Sequence, residues 1–451
     1  MQTAFTPAQL EDPGIAEAAV ILKDCVHYGF CTAVCPTWVL LRDENDGPRG
    51  RIDLIHEMLE ADAPPSPKTV RHIDQCLSCN ACMTTCAAKV DYLHLADIAR
   101  IHIERHFRRP LADRMLRALI AATLPDARRF RRAMAAARLA RPLSGLLPGR
   151  LGALLDMAPR RLPPPTPLGP GVYPAEGTRK KRVALLAGCV QQALAPRINE
   201  ASVRLLTRHG CEVVIADAAC CGALTLHMGK EDQALDAARV TVDAWRAADE
   251  EGSFDAVIVN ASGCGTTVKE YGYLLQDDPD YRDLAEQFAL IARDITEFME
   301  TLGLMPPAVR RPLKVAYHDA CSLQHAQLVT EPPRALLRQA GYLVVDVPER
   351  HFCCGSAGTY NMLQPKIAGA LGERKAAHIE STGAAVAAAG NLGCLTQLSQ
   401  HSEMPLVHTV ELLDWATGGP MPPALEGVEI PELVEAAPAT TADDGGGVGI
   451  W

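Results

Sequence analysis

The chain lacks the features that mark self-sufficient organic catalysis. It has no G-x-G-x-x-G stretch for a dinucleotide, no nucleophile–base–acid triad and no paired-carboxylate constellation. It also lacks any run of about 18 apolar residues, so no membrane-spanning helix is expected. The opening MQTAFTPAQLEDPG has neither a basic nor an apolar stretch of the secretory kind. A cytoplasmic location is therefore expected, at most peripheral on the inner face of the cytoplasmic membrane. The acidic excess, a net charge of −10, is spread along the chain, and no nucleic-acid partner is expected.

What the chain does have is cysteine. Of 16 cysteines in 451 residues, only Cys211 falls outside four spaced arrays. So many thiols without an export signal argue for metal ligation in a reducing compartment, not for disulfides. A composition that is 48% apolar and 22% charged is that of a globular protein long enough for two or three domains.

The first array is Cys25, Cys31 and Cys35 (C-x₅-C-x₃-C-P), and the second is Cys76, Cys79, Cys82 and Cys86 (C-x₂-C-x₂-C-x₃-C). In such runs three thiolates wrap one cubane, and the fourth ligates the other cluster of a two-cluster ferredoxin. Exchange of the fourth cysteines gives one set of Cys76, Cys79, Cys82 and Cys35, and another of Cys25, Cys31 and Cys86. Position 28, where a further cysteine would stand, is Tyr28. The three-thiolate set can hold a [3Fe–4S] cluster, or a [4Fe–4S] cluster with a non-thiolate ligand on one iron. A third reading has Tyr28 packing over the cluster and excluding solvent. Zinc is the competing metal, since C-x₂-C also serves it.

Residues 1–105 carry these two arrays among helix-like segments such as Arg51–Glu60. Residues 106–178 are rich in Arg and Ala, with amphipathic helices expected at Leu111–Ala122 and Ala127–Leu139 and a Pro-rich linker from Pro163 to Pro174. The arginines read as a solvated face or a subunit contact, or more sharply as a contact with a membrane surface or acidic partner. Residues 418–451, rich in Pro, Gly, Ala and Asp, are expected to be disordered.

An internal repeat lies between. In residues 179–300, apolar runs at Val183–Ala187, Val213–Ala216 and Ala256–Asn260 lead to Cys189, to Cys220-Cys221 and to Cys264. In residues 301–417, runs at Val315–His318, Leu343–Val347 and Ala384–Ala389 lead to Cys321, to Cys353-Cys354 and to Cys394. Helical stretches between the runs imply βαβ units with parallel sheets. Each cysteine then sits beyond the carboxyl end of a strand, the rim where open α/β sheets bind ligands. The expected fold is α+β and multidomain: a helical two-cluster ferredoxin-type domain, then a pseudo-symmetric pair of α/β half-domains. His27, His325 and His408 lie near the arrays and are read as hydrogen-bonding neighbours.

The chain resembles the iron–sulfur subunits of bacterial glycolate oxidases. The matching segments include CVHYGFCTAVCPTWVLLRDENDGPRGRIDLIHEML, HIDQCLSCNACMTTC, LLAGCVQQALAPRIN, YHDACSLQHAQ, CCGSAGTYN and PLVHTVELLDWA. Its second half resembles the cysteine-rich "CCG" domain of heterodisulfide reductase, anaerobic glycerol-3-phosphate dehydrogenase and lactate-utilisation subunits. The resemblance implies two N-terminal iron–sulfur clusters, with further clusters an open question at the CCG sites. It implies an electron-transfer subunit beside FAD-containing flavoprotein subunits that oxidise glycolate to glyoxylate, with an acceptor such as membrane quinone and no catalysis by this chain alone. Alternatives are a lactate or glycerol-3-phosphate dehydrogenase subunit, a heterodisulfide-reductase-like catalytic subunit, and a zinc-stabilised scaffold. The fullest CCG motif ends in C-x-x-C; here the first of that pair is Ala261 in one unit and Asn391 in the other.

Overall fold

The computed structural model describes residues 1–430 except 62, 147, 148, 160, 219, 309 and 310. In the N-terminal region, short helices alternate with loops that carry cysteine. Pro36 and Pro48 take the first helical positions of Pro36–Leu41 and Pro48–Glu60, where proline's fixed φ helps and its missing N–H costs nothing. Ser66 and Asp91 cap Pro67–Asp74 and Tyr92–His106 by accepting backbone N–H groups. The apolar faces of these helices meet in one core that includes Leu22, Ile55, Leu59, Ile73, Leu95 and Ala99.

Two sheets follow. The first comprises β1 (Gly171–Tyr173), β2 (Lys181–Leu186), β3 (Cys211–Ile215), β4 (Ala256–Val259) and β5 (Ala292–Asp294), in the order β1-β3-β2-β4-β5. The second comprises β6 (Lys314–Tyr317), β7 (Leu343–Asp346), β8 (Val386–Ala389) and β9 (Leu406–His408), in the order β7-β6-β8-β9. Apart from β1, which runs antiparallel to β3, all pairings are parallel. The order β3-β2-β4-β5 therefore matches β7-β6-β8-β9, and the sequence repeat is a repeat of topology. Val183, Leu185 and Ile258 of the first sheet share one core with Val315, Tyr317 and Val407 of the second, so the two units pack as one body.

Three expectations change. The stretch expected as a linker to Pro174 ends in a strand: β1 adds to the first sheet through register pairs such as Val172 with Val214. Within residues 418–430, expected to be disordered, Leu425 is fully buried in the core and Ala424, Val428 and Ile430 pack against it; residues 431–451 lie outside the described set. The Arg-rich segment is only partly a solvated face. Arg109 and Arg117 are buried and share Asp74 and Asp113, while Arg150 also reaches Asp113. The same buried side of these helices presents Leu116, Ile120, Leu124 and Phe130 to Ala193, Met228 and Leu363 of the sheet-bearing body.

Candidate metal centres

The N-terminal cysteines converge because their loops adopt backbone conformations that point successive Sγ atoms inward. His27, Ser78 and Asn80 are non-glycine residues at positive φ in those loops, a strained conformation that tertiary packing must hold. Cys25, Cys31 and Cys86 line one cavity of about 40 Å³, with Cys82 on its wall. Cys35, Cys76, Cys79 and Cys82 line a second of about 20 Å³. These are the two exchanged groupings, brought together by the fold. Tyr28 lies at the rim of the first cavity but is 65% exposed, so it does not seal it; Val26 and Phe30 beside it are exposed as well.

The second cavity carries fixed positive charge. Arg51 is fully buried; it donates through Nε to the His72 carbonyl (2.8 Å) and through Nη2 to Thr37 Oγ1 (3.0 Å), and Nη1 lies 3.9 Å from Cys35 Sγ. Arg100 donates to the Cys76 carbonyl at 2.9 Å. Burial alone pushes the Cys76 thiol up, but Arg51 and Arg100, the Ser78 N–H and the Tyr92 hydroxyl together hold it below its ordinary value. Cys79 and Cys82 are pushed well up by burial and by neighbouring thiols. Buried thiols packed this closely are stable as neutral groups or as thiolates neutralised by a cation, which is the environment an iron–sulfur cluster completes.

In the repeat, Cys189, Cys220-Cys221, Cys264, Cys321, Cys353-Cys354 and Cys394 all follow strand ends, Cys264 and Cys394 on the first turns of Ser262–Lys269 and Leu392–Leu398. Cys189 and Cys220 have Sγ atoms 3.4 Å apart, and Cys321 and Cys353 3.7 Å, far beyond a disulfide's ~2.05 Å. The glycine after each cysteine pair has a steric reason. Gly222 and Gly355 sit at φ +87° and +91°, and a Cβ there would lie 2.8 Å and 2.5 Å from the carbonyl oxygens of Ala234 and Ala368.

The two units place their arrays on one shared cavity of about 240 Å³, lined by all eight of these cysteines. Its walls also include Leu77 and Ser78 of the N-terminal module and Leu124, Phe130, Met134, Leu154 and Met157 of the Arg-rich segment. Polar bonds between the units fix the seam: Ser262 and Ser322 share a hydroxyl hydrogen bond of 2.7 Å, and Gln327 Nε2 donates to the Ser262 carbonyl at 2.8 Å. On the other side, Cys79 packs in one buried cluster with Cys353 and Tyr360, and Cys321 packs against it.

Of the histidines near the arrays, His27 pairs with Asp53 at 3.3 Å. His325 bridges Thr84 Oγ1 (2.9 Å) and the His351 carbonyl (3.1 Å), tying the N-terminal module to the second unit. His408 caps Thr409–Ala416, its Nδ1 accepting the Val410 N–H at 3.2 Å. A further histidine, not singled out in the sequence, lies beside the thiols of the second unit. His318 is buried, neither ring nitrogen has a partner, and one ring nitrogen and the Sγ atoms of Cys354 and Cys394 all lie within 4.8 Å of one another. Burial, with Lys375 nearby, lowers its pKa to about 3. The sequence signal was available: His318 stands three residues before Cys321 at a strand end.

Known proteins place this arrangement. Residues 21–90 match the family described as "4Fe-4S dicluster domain", and residues 183–269 and 315–399 each match "Cysteine-rich domain". The chain is 39% identical, over 92% of its length and 99% of the relative's, to the glycolate oxidase iron–sulfur subunit of Escherichia coli. It is 32% identical to the probable glycolate oxidase iron–sulfur subunit of Bacillus subtilis, covering 88% of this chain and 94% of that one. Lactate utilization protein A of Shouchella clausii is 29% identical but covers 49% of this chain. A hypothetical protein from Helicobacter pylori shares the fold at a TM-score of 0.53 and 10% identity, over 94% of this chain and 75% of that one.

Proposed function

Because the chain belongs to the family of glycolate oxidase iron–sulfur subunits, we propose that it carries electrons from flavoprotein subunits that oxidise glycolate to glyoxylate towards an acceptor such as quinone. Iron–sulfur clusters supply one-electron transfer over a wide range of potentials. Cys25, Cys31 and Cys86 would hold one, and Cys35, Cys76, Cys79 and Cys82 another. Cys189, Cys220, Cys221 and Cys264, and Cys321, Cys353, Cys354 and Cys394, would hold metal at the shared cavity.

The observation that carries this reading is the continuity of the four arrays. Cys82 lies on the walls of both N-terminal cavities, Cys79 packs with Cys353, and the two repeat arrays face one another. The remaining residues serve that route. Arg51 and Arg100 offset added negative charge, Phe130 and Met134 wall the cavity against solvent, and the exposed Val26, Tyr28 and Phe30 offer an apolar rim for the flavoprotein. The family subunit's place in an oxidoreductase complex favours glycolate over lactate, whose relatives match about half the chain. Among the described residues no helix is long and apolar enough to cross a membrane, so a quinone would be met at a membrane surface. The exposed Leu111, Met115 and Leu119, on one face of Leu111–Thr123 near Arg108 and Arg114, support such a contact.

The test is anaerobic. The purified chain mixed with glycolate should keep its oxidised cluster absorption, and adding the flavoprotein subunits should bleach it. Bleaching by glycolate in a flavin-free preparation would overturn the subunit reading, as would no bleaching in an active reconstituted complex.

A further inference from the structure

The two cysteine-rich units are alike in topology but not in their donors. Where the fullest motif has a further cysteine, unit one has Ala261, which offers nothing, and unit two has Asn391, which caps Leu392–Leu398 and donates to Cys394 Sγ at 3.7 Å. Three residues before the first cysteine of each array, unit one has buried Leu186 and unit two has buried His318.

The backbone around His318 is fixed on both sides. Its backbone N–H donates to the Ala388 carbonyl of β8 at 2.8 Å. The next residue, Asp319, is locked by two bonds from buried Arg334 at 2.7 and 2.6 Å. The ring is buried from water, yet both its nitrogens are without a hydrogen-bond partner among the described residues, an unfavourable state that a bound metal would relieve at one of them. One nitrogen lies within 4.8 Å of the Sγ atoms of both Cys354 and Cys394. Protein donors bind metal at ~2.0 Å (nitrogen) and ~2.3 Å (sulfur), so three donors this close together can serve one metal centre after a small adjustment.

We propose that His318 is a metal ligand of the second cysteine-rich unit, serving the same iron–sulfur centre as Cys354 and Cys394, whereas the first unit binds through cysteine alone. The assignment rests on the reading above, in which the repeat arrays carry iron–sulfur clusters. A neutral nitrogen in place of a thiolate leaves less negative charge on the cluster, and substitution of His for Cys raises cluster potentials. The second unit, beside Cys79, would then be the more oxidising of the two.

The test uses full-length chain labelled with ¹⁵N-histidine, prepared anaerobically and examined by pulsed electron paramagnetic resonance in oxidised and reduced states, alongside iron and sulfide analysis. A directly bonded histidine nitrogen coupling is expected, lost in His318→Leu together with part of the iron. In His318→Cys the iron is retained, the coupling is lost and the potential of that centre falls. His318→Cys also keeps the test decisive where His318→Leu does not fold. Full iron in His318→Leu with an unchanged spectrum would overturn the ligand assignment, as would wild type without a bonded histidine nitrogen but with iron above the two N-terminal clusters. Wild type with no more than the roughly eight irons of two cubanes would instead sink the underlying reading of the repeat arrays.

Discussion

Arg51 Nη1 lies 3.9 Å from Cys35 Sγ, and the guanidinium is shielded from water by the helices that bring the two together. Among the described residues it pairs with one carboxylate, Asp46 at 3.6 Å, which His72 Nδ1 also contacts at 2.8 Å. A buried full charge so close to a thiol acts on whatever charge that thiol's metal carries.

Arg51→Met should therefore lower the potential of the Cys35/Cys76/Cys79/Cys82 centre, by roughly 60 mV for each 1.4 kcal/mol of attraction lost in a one-electron couple. Stability should fall by about 3–5 kcal/mol, because Asp46 is left as a buried charge with less compensation. Arg51→Lys should restore much of the potential. Redox titration of the cluster signal reads the first effect and denaturant unfolding the second; an unchanged potential in Arg51→Met would dismiss the electrostatic role.

Cys35→Ser should damage the centre that includes Cys76, Cys79 and Cys82, and Cys86→Ser the one that includes Cys25 and Cys31. Each should lose roughly one cluster's iron. Iron analysis with electron paramagnetic resonance separates the two. Loss confined to the Cys25/Cys31 centre in Cys35→Ser would show that ligation is local within each array.

The Tyr28 side chain is 65% exposed at the rim of the cavity holding Cys25, Cys31 and Cys86, so an iron opposite it is open to water. The oxidised protein as isolated should show a three-iron signal. Tyr28→Cys should convert that signal to a four-iron centre of lower potential, since a fourth thiolate adds negative charge. Four irons at this site in the wild type, silent when oxidised, would refute the expectation.

His94 joins the N-terminal module to the first sheet-bearing unit. Its ring contacts Asp91 (2.8 Å) and Glu270 (3.0 Å) and stacks on Tyr273 with centroids 3.6 Å apart. Burial opposes its charge, but Asp91 and Glu270 outweigh it and raise the pKa from 6.5 to about 10. The folded-state value lies above the unfolded one. The stabilisation is thus fully present below pH 6.5 and is lost as pH rises through about 10. His94→Leu should cost about 1.5–3 kcal/mol at neutral pH, the range for hydrogen bonds to charged groups. The gap in melting temperature between wild type and variant should narrow from pH 6.5 to 10, and a constant gap would assign His94 a packing role only.

Much of the fold was legible because its signals are local. The alternation of apolar runs with helical stretches located β2, β3, β4, β6 and β8, since buried parallel strands read as continuous apolar segments, and with them the half-exposed edge strand β7. Strands β1, β5 and β9 were not foreseen: each lies at a sheet edge and is only three residues long, too short to leave a pattern in the sequence. The steric need for Gly222 and Gly355 depends on the close passage of the helices carrying Ala234 and Ala368, which a linear reading cannot measure.

By itself, the sequence determined the spacing of the thiols and the strand–cysteine repeat and led to the expectation that Cys35 and Cys86 are exchanged, because ligand spacing and hydrophobic periodicity act over a few residues. Only the tertiary structure decided that the repeat arrays face one cavity, that Cys79 packs with Cys353, that Arg109 and Arg117 are buried in ion pairs, and that His318 stands unpartnered beside Cys354 and Cys394. Those relationships join residues tens to hundreds of positions apart. They exist only once two sheets share a core, since burial and proximity belong to the packed molecule and not to any segment of it.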